Sequence, residues 1–192
     1  MRSLGLLGGS YNPVHNGHLA LADQARALLH LDGVWLIPCA ESADGKPLAP
    51  GRLRLAWLKA ALKGREGLSA WDGELKRGGV SRSIDTLRQL RRELGPGVQL
   101  TLLLGADQVA RLASWKQADK LATLARLAAF RRAGTRPRAP QGFRVQWLDA
   151  PLQAASSTAI RAALAAGKRP LGLPKALAQD LRLAREYKAP DR

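Results

Sequence analysis

Two histidines stand three residues apart in a glycine-rich segment near the start of the chain. The segment reads Gly8-Gly9-Ser10-Tyr11-Asn12-Pro13-Val14-His15-Asn16-Gly17-His18. Paired glycines let a backbone approach a ligand closely, and two imidazoles beside the N–H groups that open a helix favour a negatively charged ligand. A phosphate under nucleophilic attack is the natural candidate for such a site.

Solvated histidines and a metal site are the two alternatives for this segment. His15 and His18 alone are weak evidence for a metal, because Cys39 and His30, the obvious further ligands, are distant in the sequence. The segment also lacks the Gly-x-Gly-x-x-Gly pattern of dinucleotide sites and the Gly-Lys-Ser/Thr pattern of Walker loops. We therefore expect no metal ligands from the protein.

A cluster of hydroxyl groups precedes a helical pattern near the other end of the chain. Ser156, Ser157 and Thr158 form this cluster, and Arg161 follows about one helical turn further on. Hydroxyls, N–H groups and a guanidinium at a helix N-terminus suit the oxygens of a polyphosphate. A plain N-cap with a surface arginine is the alternative, and it would be preferred if this cluster stood alone. Combined with the histidine segment, it indicates a triphosphate site.

Gly105 and Asp107 directly follow a strongly apolar run, and Trp115 lies a few residues further on. A carboxylate at the end of a buried strand can accept ribose hydroxyls, whereas the simpler alternative is a helix N-cap. A tryptophan is more often part of a core than of a site, but this one could also stack on a flat ring.

The elements that must position these residues follow from the periodicity of apolar residues. Strands are predicted at residues 3–7, 34–38, 68–71, 98–104, 127–130 and 143–148. Helices are predicted at residues 18–31, 52–63, 83–94, 108–112, 117–124, 158–166 and 174–187.

This alternation of strands and helices predicts an α/β fold, with a doubly wound, mainly parallel sheet and helices on both faces. We expect residues 1–192 to form a single domain, because the sequence contains no internal repeat, low-complexity segment or long linker. Ligands of such sheets bind beyond the carboxyl ends of the strands, where the strand order reverses. The histidine segment and residues 105–115 are the turns expected at that edge.

The composition is that of an ordinary globular protein. Apolar residues make up 46% of the 192 residues and charged residues 24%, which argues against a disordered or fibrous chain. No apolar run approaches the roughly 18 residues of a membrane helix, and no targeting segment is recognisable. Cys39, the single cysteine, cannot form an internal disulfide. We therefore expect a cytoplasmic protein with no membrane partner.

The chain is strongly basic, with 31 Lys and Arg against 15 Asp and Glu and a net charge of +16. Such a field attracts phosphates, whether in nucleic acid, acidic membranes or nucleotide substrates. The basic residues are spread along helical patterns without a compact block or interleaved aromatics. An arginine-rich solvated surface is therefore the preferred interpretation, and we expect no nucleic-acid partner.

The two terminal motifs resemble those of a known family. The histidine segment looks like the His-x-Gly-His signature of the nucleotidyltransferase superfamily and, within it, of bacterial nicotinate-nucleotide adenylyltransferases. Residues 155–161, Ala-Ser-Ser-Thr-Ala-Ile-Arg, are similar to that group's Ile-Ser-Ser-Thr-x-Ile-Arg segment. Residues 105–108 and 115–116 resemble the part that meets adenosine and the pyridine ring, and residues 81–87 partly resemble Ser-Tyr-Thr-x-Asp-Thr-Leu. The resemblance covers nearly the whole chain.

The resemblance implies a Rossmann-like fold and transfer of AMP from ATP to nicotinate mononucleotide. The products would be nicotinate adenine dinucleotide and pyrophosphate, in the biosynthesis of NAD. The acceptor phosphate is already ionised in such a reaction, so that neither a general base nor a covalent intermediate is needed. Mg²⁺ is expected to be carried mainly by ATP, because no carboxylate cluster is visible. The expected assembly is a monomer or a small homo-oligomer.

The resemblance also assigns roles to individual residues. His15 and His18 are the expected catalytic residues and stabilise charge at the α-phosphate. ATP is expected to contact Gly8, Gly9, Ser10, His15, His18, Gly105, Asp107, Ser156, Ser157, Thr158 and Arg161. The acceptor is expected to contact Tyr11, Asn12, Lys46, Arg82, Ser83, Trp115 and Arg132.

Two departures from the family pattern lie on the acceptor side. Related enzymes often have His-Lys where this chain has Gly45-Lys46, and they tend to have Ser-Tyr-Thr where it has Ser81-Arg82-Ser83. These departures leave open a sister transferase that uses nicotinamide mononucleotide or phosphopantetheine. A non-catalytic, basic nucleic-acid-binding protein is the alternative from a different class.

Overall fold

The computed structural model describes residues 2–131, 135, 137–149 and 155–187. Within them, six strands form one sheet in the order β3-β2-β1-β4-β5-β6, and each neighbouring pair is parallel. The strands are β1 (Arg2–Gly9), β2 (Gly33–Pro38), β3 (Leu68–Ala70), β4 (Val98–Gly105), β5 (Arg126–Arg131) and β6 (Val145–Asp149). The chain enters at the centre, builds one side and then crosses to the other, so the strand order reverses between β1 and β4.

Eight α-helices connect and follow these strands in the described part of the chain. They are α1 (Asn16–Leu28), α2 (Gly51–Leu62), α3 (Gly73–Arg77), α4 (Ser83–Leu94), α5 (Ala106–Ala110), α6 (Leu121–Leu124), α7 (Ser157–Ala165) and α8 (Leu181–Tyr187). None of the helices described here is long and apolar enough to cross a membrane.

Helices cover both faces of the sheet, which confirms the predicted α/β fold. Along β4, Leu100, Leu102 and Leu104 pack in the cluster that contains residues of α4, α5 and α6. Leu103, which points to the opposite face, packs with residues of α1 and α2. Strands that are buried on both faces are apolar at successive positions, and this is why β4 reads as an unbroken apolar run.

The predicted helix at residues 174–187 is wrong, because the structure divides it. A 3-10 turn occupies Lys175–Leu177, and α8 begins only at Leu181. A carboxylate oxygen of Asp180 accepts the backbone N–H groups of Arg182 at 2.9 Å and Leu183 at 3.3 Å. Asp180 therefore caps the start of a new helix, and the spacing of apolar residues does not reveal this cap.

The segment between β4 and β5 also differs from the prediction. The helices predicted at residues 108–112 and 117–124 are replaced by α5, two 3-10 turns (Leu112–Ser114 and Ala118–Lys120) and α6. Gln117 has a φ of +51°, in the left-handed region, so the second segment becomes helical only after this residue. The short helix α3 was not predicted, because five residues show too little periodicity. The other elements differ from the predictions by a few residues at their ends.

Candidate active site

The histidine segment leaves β1 at the carboxyl edge of the sheet, beside the reversal of strand order. His15 is the N-cap of α1, with an extended backbone at φ −142° and ψ 167°. His18 lies in the first turn, and its Nδ1 accepts the backbone N–H of His15 at 3.2 Å. Because Nδ1 is the acceptor, the neutral His18 ring carries its proton on Nε2. His18 thus presents a hydrogen-bond donor at Nε2.

The two imidazole rings stack, with centroids 3.6 Å apart and an angle of 22° between the planes. Desolvation lowers the pKa of His15 to about 4. Desolvation and the neighbouring His15 lower the pKa of His18 to about 3. Both rings are therefore neutral at pH 7 in the unliganded protein. A phosphate bound beside them would raise both pKa values, because an opposite charge favours the imidazolium form.

Gly17 allows the ring of His15 to lie against the first turn of α1. A Cβ atom at Gly17 would lie 3.0 Å from Nδ1 and 3.1 Å from Cε1 of that ring. Nδ1 of His15 is buried and has no hydrogen-bond partner among the described residues. Buried polar atoms without a partner are uncommon in native proteins. Packing against Gly17 and stacking on His18 therefore hold this ring in place.

The second motif is bound to the first through two hydrogen bonds, donated by Ser157 and Arg161. Ser156 caps α7, and its hydroxyl accepts a backbone N–H of the first turn at 3.1 Å. The hydroxyl of Ser157 donates to the carbonyl of Pro13 at 2.9 Å. A guanidinium N–H of Arg161 donates to the carbonyl of Asn12 at 2.8 Å. The structure therefore brings the N-terminus of α7 against the histidine segment.

Thr158 completes the polar surface at the start of α7. Its side chain is exposed, and its hydroxyl accepts a second guanidinium N–H of Arg161 at 3.3 Å. Arg161 is thus held from two sides, by the loop and by its own helix. A fixed guanidinium beside helix N–H groups is a suitable arrangement for polyphosphate oxygens.

Tyr11 and Asn12 have buried side chains that shape the histidine segment. The hydroxyl of Tyr11 donates to a backbone carbonyl of β1 at 2.5 Å, and its ring meets His18 edge-on with centroids 4.8 Å apart. The side-chain oxygen of Asn12 accepts from the N–H of Ala49 at 3.0 Å and from the hydroxyl of Tyr187 at 2.5 Å. Their contact with an acceptor stays a prediction, because these observed contacts are internal to the protein.

A cavity of about 520 Å³ opens at the same edge of the sheet. The glycines at the end of β1, the loop between β2 and α2, the start of α4 and the segment after β4 contribute to its walls. Eight of the predicted site residues line it, namely Gly8, Gly9, Ser10, Lys46, Arg82, Ser83, Asp107 and Trp115. The structure therefore brings most of the predicted acceptor side to one cavity. Arg132 lies outside the described residues.

Gly105 lies close to Asp107 and Gln108 at the end of β4. A Cβ atom there would lie 2.6 Å from a carboxylate oxygen of Asp107, and the backbone N–H of Gly105 donates to the side chain of Gln108 at 2.8 Å. The carboxylate of Asp107 is exposed on the wall of the cavity, and Trp115 is half-buried in the same wall. The contact of Asp107 with a ribose and of Trp115 with a flat ring stays a prediction.

Ser81 ties the acceptor side of the cavity to the end of β2. Its hydroxyl accepts the backbone N–H of Ala40 at 2.9 Å. The buried carboxylate of Glu74 is hydrogen-bonded to Ser81 and to Thr86, whose hydroxyl lies 2.5 Å away. Burial raises the pKa of Glu74, and these hydrogen bonds partly oppose that rise. The two residues that follow Ser81 are thereby held against the cavity.

A buried arginine that the sequence motifs do not mark joins the two loops that follow β1 and β2. Arg54 is 1% exposed. Its guanidinium donates to the carbonyl oxygens of Ala49 at 2.7 Å, Ser10 at 2.8 Å, Cys39 at 2.8 Å and Ala40 at 3.2 Å. The positive charge therefore fixes the loop after β1 against the loop after β2.

The helical period of α2 is a signal that could have identified Arg54. The buried residues of this helix are Arg54, Trp57, Leu58, Ala61 and Leu62. They follow the spacing of one helix face, on which a charged residue is unexpected. A charge on such a face needs fixed partners, because burying it without them is costly.

A family model described as cytidylyltransferase-like matches residues 6–163 of the chain. A "Probable nicotinate-nucleotide adenylyltransferase" of Streptococcus mutans is 38% identical over 171 residues, which cover 88% of this chain and 80% of that protein. A protein of the same name from Streptococcus pneumoniae is 37% identical with the same coverage.

Two solved structures share the fold at lower sequence identity. A nicotinic acid mononucleotide adenylyltransferase of Plasmodium falciparum, complexed with NaAD, has a TM-score of 0.69 at 19% identity and covers 85% of this chain and 84% of its own. A putative nicotinate-nucleotide adenylyltransferase of Vibrio parahaemolyticus has a TM-score of 0.69 at 21% identity, with coverage of 97% and 95%. The chain belongs to the cytidylyltransferase-like family and, within it, to the nicotinate-nucleotide adenylyltransferases that its terminal motifs resemble.

Proposed function

We propose that the protein transfers AMP from ATP to nicotinate mononucleotide, which gives nicotinate adenine dinucleotide and pyrophosphate in NAD biosynthesis. The observation that carries the proposal is the contact between the two phosphate-binding motifs, in which Arg161 donates to the carbonyl of Asn12 at 2.8 Å. The names of the relatives support it, since both sequence relatives described above are nicotinate-nucleotide adenylyltransferases by name.

The reaction is an in-line displacement at the α-phosphate of ATP. A phosphate oxygen of the acceptor attacks the α-phosphorus, and the bond to the β-phosphate breaks to release pyrophosphate. The Nε2–H of His18 and the ring of His15 stabilise the negative charge that develops on the α-phosphate oxygens. Arg161 and the hydroxyls at the start of α7 hold the β- and γ-phosphates. No side chain has to remove a proton, because the attacking phosphate is already ionised.

Residues that line the cavity bind the adenosine ribose and the acceptor nucleotide. Asp107 accepts hydroxyls of the adenosine ribose, and Trp115 stacks on the pyridine ring of the acceptor. Arg82 and Ser83, which line the opposite wall, donate to the carboxylate of that ring. Lys46 meets the acceptor phosphate. An acidic ring substituent fits this set of donors better than an amide does, because an amide NH₂ would face donors.

Mg²⁺ belongs to the substrate in this proposal. No group of three His, Cys, Asp or Glu side chains within the described residues could hold a metal ion. An ion bound by ATP oxygens and water requires no metal ligands from the protein. When bound, it neutralises charge on the triphosphate. We further propose a cytoplasmic location and a monomer or small homo-oligomer.

Pyrophosphate release tests the proposed function directly. The protein is incubated with ATP, Mg²⁺ and, in separate reactions, nicotinate mononucleotide, nicotinamide mononucleotide, phosphopantetheine or no acceptor. Release with the first acceptor, together with a dinucleotide product seen by mass spectrometry, is the expected result. If phosphopantetheine were the only acceptor that supports pyrophosphate release, the protein would be the sister transferase and the proposal would be wrong. No release with any acceptor, combined with salt-sensitive binding of nucleic acid that survives His18→Ala, would favour the non-catalytic alternative.

A further inference from the structure

Two cations from opposite sides of the cavity share one carboxylate at its mouth. A guanidinium nitrogen of Arg111 lies 3.3 Å from one oxygen of Asp44, and the ammonium of Lys46 lies 3.5 Å from the other. Asp44 and Lys46 belong to the loop between β2 and α2, whereas Arg111 follows α5 on the β4 side. All three residues line the cavity. Asp44 thus bridges the two walls.

We infer that Arg111 binds the phosphate of the acceptor nucleotide together with Lys46, and that Asp44 occupies this phosphate position until the nucleotide arrives. The inference rests on the proposed function, which requires a phosphate monoester in this cavity. The groups assigned to the triphosphate, Arg161 and the hydroxyls of α7, are not among the described residues that line the cavity. The acceptor phosphate therefore needs cations of its own, and Arg111 and Lys46 face each other where they can supply them.

The pairs that Asp44 makes are of a kind that a ligand can displace. The side chains of Arg111, Asp44 and Lys46 are 58%, 44% and 73% exposed. Exposed ion pairs of this kind contribute little to stability, since water and salt screen them. A phosphate monoester carries more negative charge than one carboxylate and offers three oxygens, so it can engage the guanidinium fork and the ammonium together.

The loop that carries Asp44 is free of packing at its tip. Gly45 has a φ of +67°, and a Cβ atom built there would meet nothing within 4 Å. Asp44 and Lys46 are exposed as well, so their side chains have room to change conformation. Lys116, another cation of the cavity wall, is already paired with Asp85 of α4 at 3.2 Å. Arg111 and Lys46 differ from it because they share one carboxylate, and a phosphate in its place would contact both.

Arg111→Gln is the decisive variant, and Arg92→Gln is its matched control. Arg92 is exposed on α4 and does not line the cavity, so its variant removes the same charge elsewhere. Calorimetry measures binding of nicotinate mononucleotide and of its riboside, which lacks the phosphate. We expect Arg111→Gln to weaken binding of the mononucleotide, and to raise its KM, roughly tenfold, the effect of losing a charge-assisted hydrogen bond. Riboside binding, kcat and the KM for ATP should stay near those of the native protein.

Asp44→Asn tests the second half of the inference. Removal of the competing carboxylate should strengthen mononucleotide binding by a few fold, because both cations are then free for the phosphate. Weaker binding in Asp44→Asn would overturn the role of Asp44 as an occupant that the phosphate displaces.

The outcomes separate this inference from the proposed function. Native-like mononucleotide binding in Arg111→Gln, or equal weakening of riboside binding, would overturn the role of Arg111 while native pyrophosphate release still supports the transferase. A raised KM for ATP in place of the acceptor would overturn the assignment to the acceptor phosphate. A native protein that neither binds the mononucleotide nor releases pyrophosphate would overturn the proposed function itself.

Discussion

A guanidinium N–H of Arg161 donates to the backbone carbonyl of Asn12 at 2.8 Å, although 149 residues separate them in the sequence. The same guanidinium also donates to Thr158 at 3.3 Å. The bond couples the position of the α7 N-terminus to the loop that carries both histidines. The groups that we propose for the two ends of a triphosphate are therefore held together before any ligand binds, which lowers the cost of ordering them.

Arg161→Lys keeps the positive charge but loses the planar fork that reaches both the loop and the substrate. We expect the KM for ATP to rise roughly tenfold, because a charge-assisted bond is lost, while the KM for the acceptor changes by less than about twofold. Steady-state kinetics with each substrate varied in turn measures both. Arg169→Lys, an exposed position after α7, is the control. Equal KM values for ATP in the two variants would contradict a phosphate role for Arg161.

Arg54→Met should destabilise the protein strongly. The substitution keeps most of the apolar volume but leaves the carbonyls of Ala49, Ser10, Cys39 and Ala40 without their donor. Buried polar groups without partners cost about 1–3 kcal/mol each, so we expect a loss of about 3 kcal/mol or more. For a chain of this size that corresponds to a Tm lower by about 10 °C. Arg52→Met, an exposed change on the same helix, should have little effect. A similar Tm for both variants would show that the four hydrogen bonds of Arg54 contribute little to the stability of the protein.

Arg82→Ala tests how the enzyme distinguishes an acid from an amide on the pyridine ring. Arg82 is exposed, lies at the N-cap of α4 and lines the cavity. We expect the native protein to prefer nicotinate mononucleotide, and the variant to lose about tenfold of that preference in kcat/KM. Arg92→Ala serves as the control. Equal use of both acceptors by the native protein would contradict acid specificity, and an unchanged ratio in the variant would mean that Arg82 points to solvent.

The lowered pKa values of the two histidines predict a loss of stability in mild acid. An unfolded histidine has a pKa of about 6.5, whereas burial lowers the pKa of His15 to about 4 and that of His18 to about 3. As the pH falls below about 6.5, the unfolded chain takes up protons that the folded chain does not, so the free energy of unfolding decreases. The decrease ends once the folded rings titrate as well, near pH 3–4.

Urea unfolding at about pH 7.5 and about pH 5.5 measures this effect. The native protein should lose more stability between the two values than the double variant His15→Gln, His18→Gln, which contains no titratable ring at either position. An equal loss in both proteins would mean that the imidazoles are protonated as readily in the folded state as in the unfolded state.

Much of the fold was predictable because the sheet imposes strong local patterns. The Leu-rich run of β4 and the apolar face of α4 mark buried elements, and α4 begins and ends where the sequence predicts. The polar cap at Asp180 and the left-handed Gln117 were not predictable from apolar spacing, since single residues decide them. Two of the three helices that were predicted wrongly, at residues 117–124 and 174–187, contain such a residue.

The candidate site was predictable where glycine and histidine residues mark a loop. It was less predictable where tertiary packing decides the direction and the partners of a side chain. The sequence does not show that the hydroxyl of Tyr11 turns inward to β1, because an aromatic residue in a loop can face either way. It also does not show that Arg111 reaches Asp44, since neither residue belongs to a motif. Arg54 was predictable in part. Its position on the apolar face of α2 predicts that it is buried, but not that it donates to four carbonyl groups.

The central claim is that the Nε2–H of His18 stabilises charge at the α-phosphate during AMP transfer. The most direct measurement is kcat for AMP transfer, with the Kd for ATP determined separately, in the native protein, His18→Ala and His18→Asn. The asparagine oxygen can still accept the backbone N–H of His15, as Nδ1 does at 3.2 Å, but offers no donor in place of Nε2–H. We predict that kcat falls by about a hundredfold or more in both variants while the Kd for ATP changes by less than about threefold. Near-native kcat in either variant, with only weakened binding of ATP, would contradict the account.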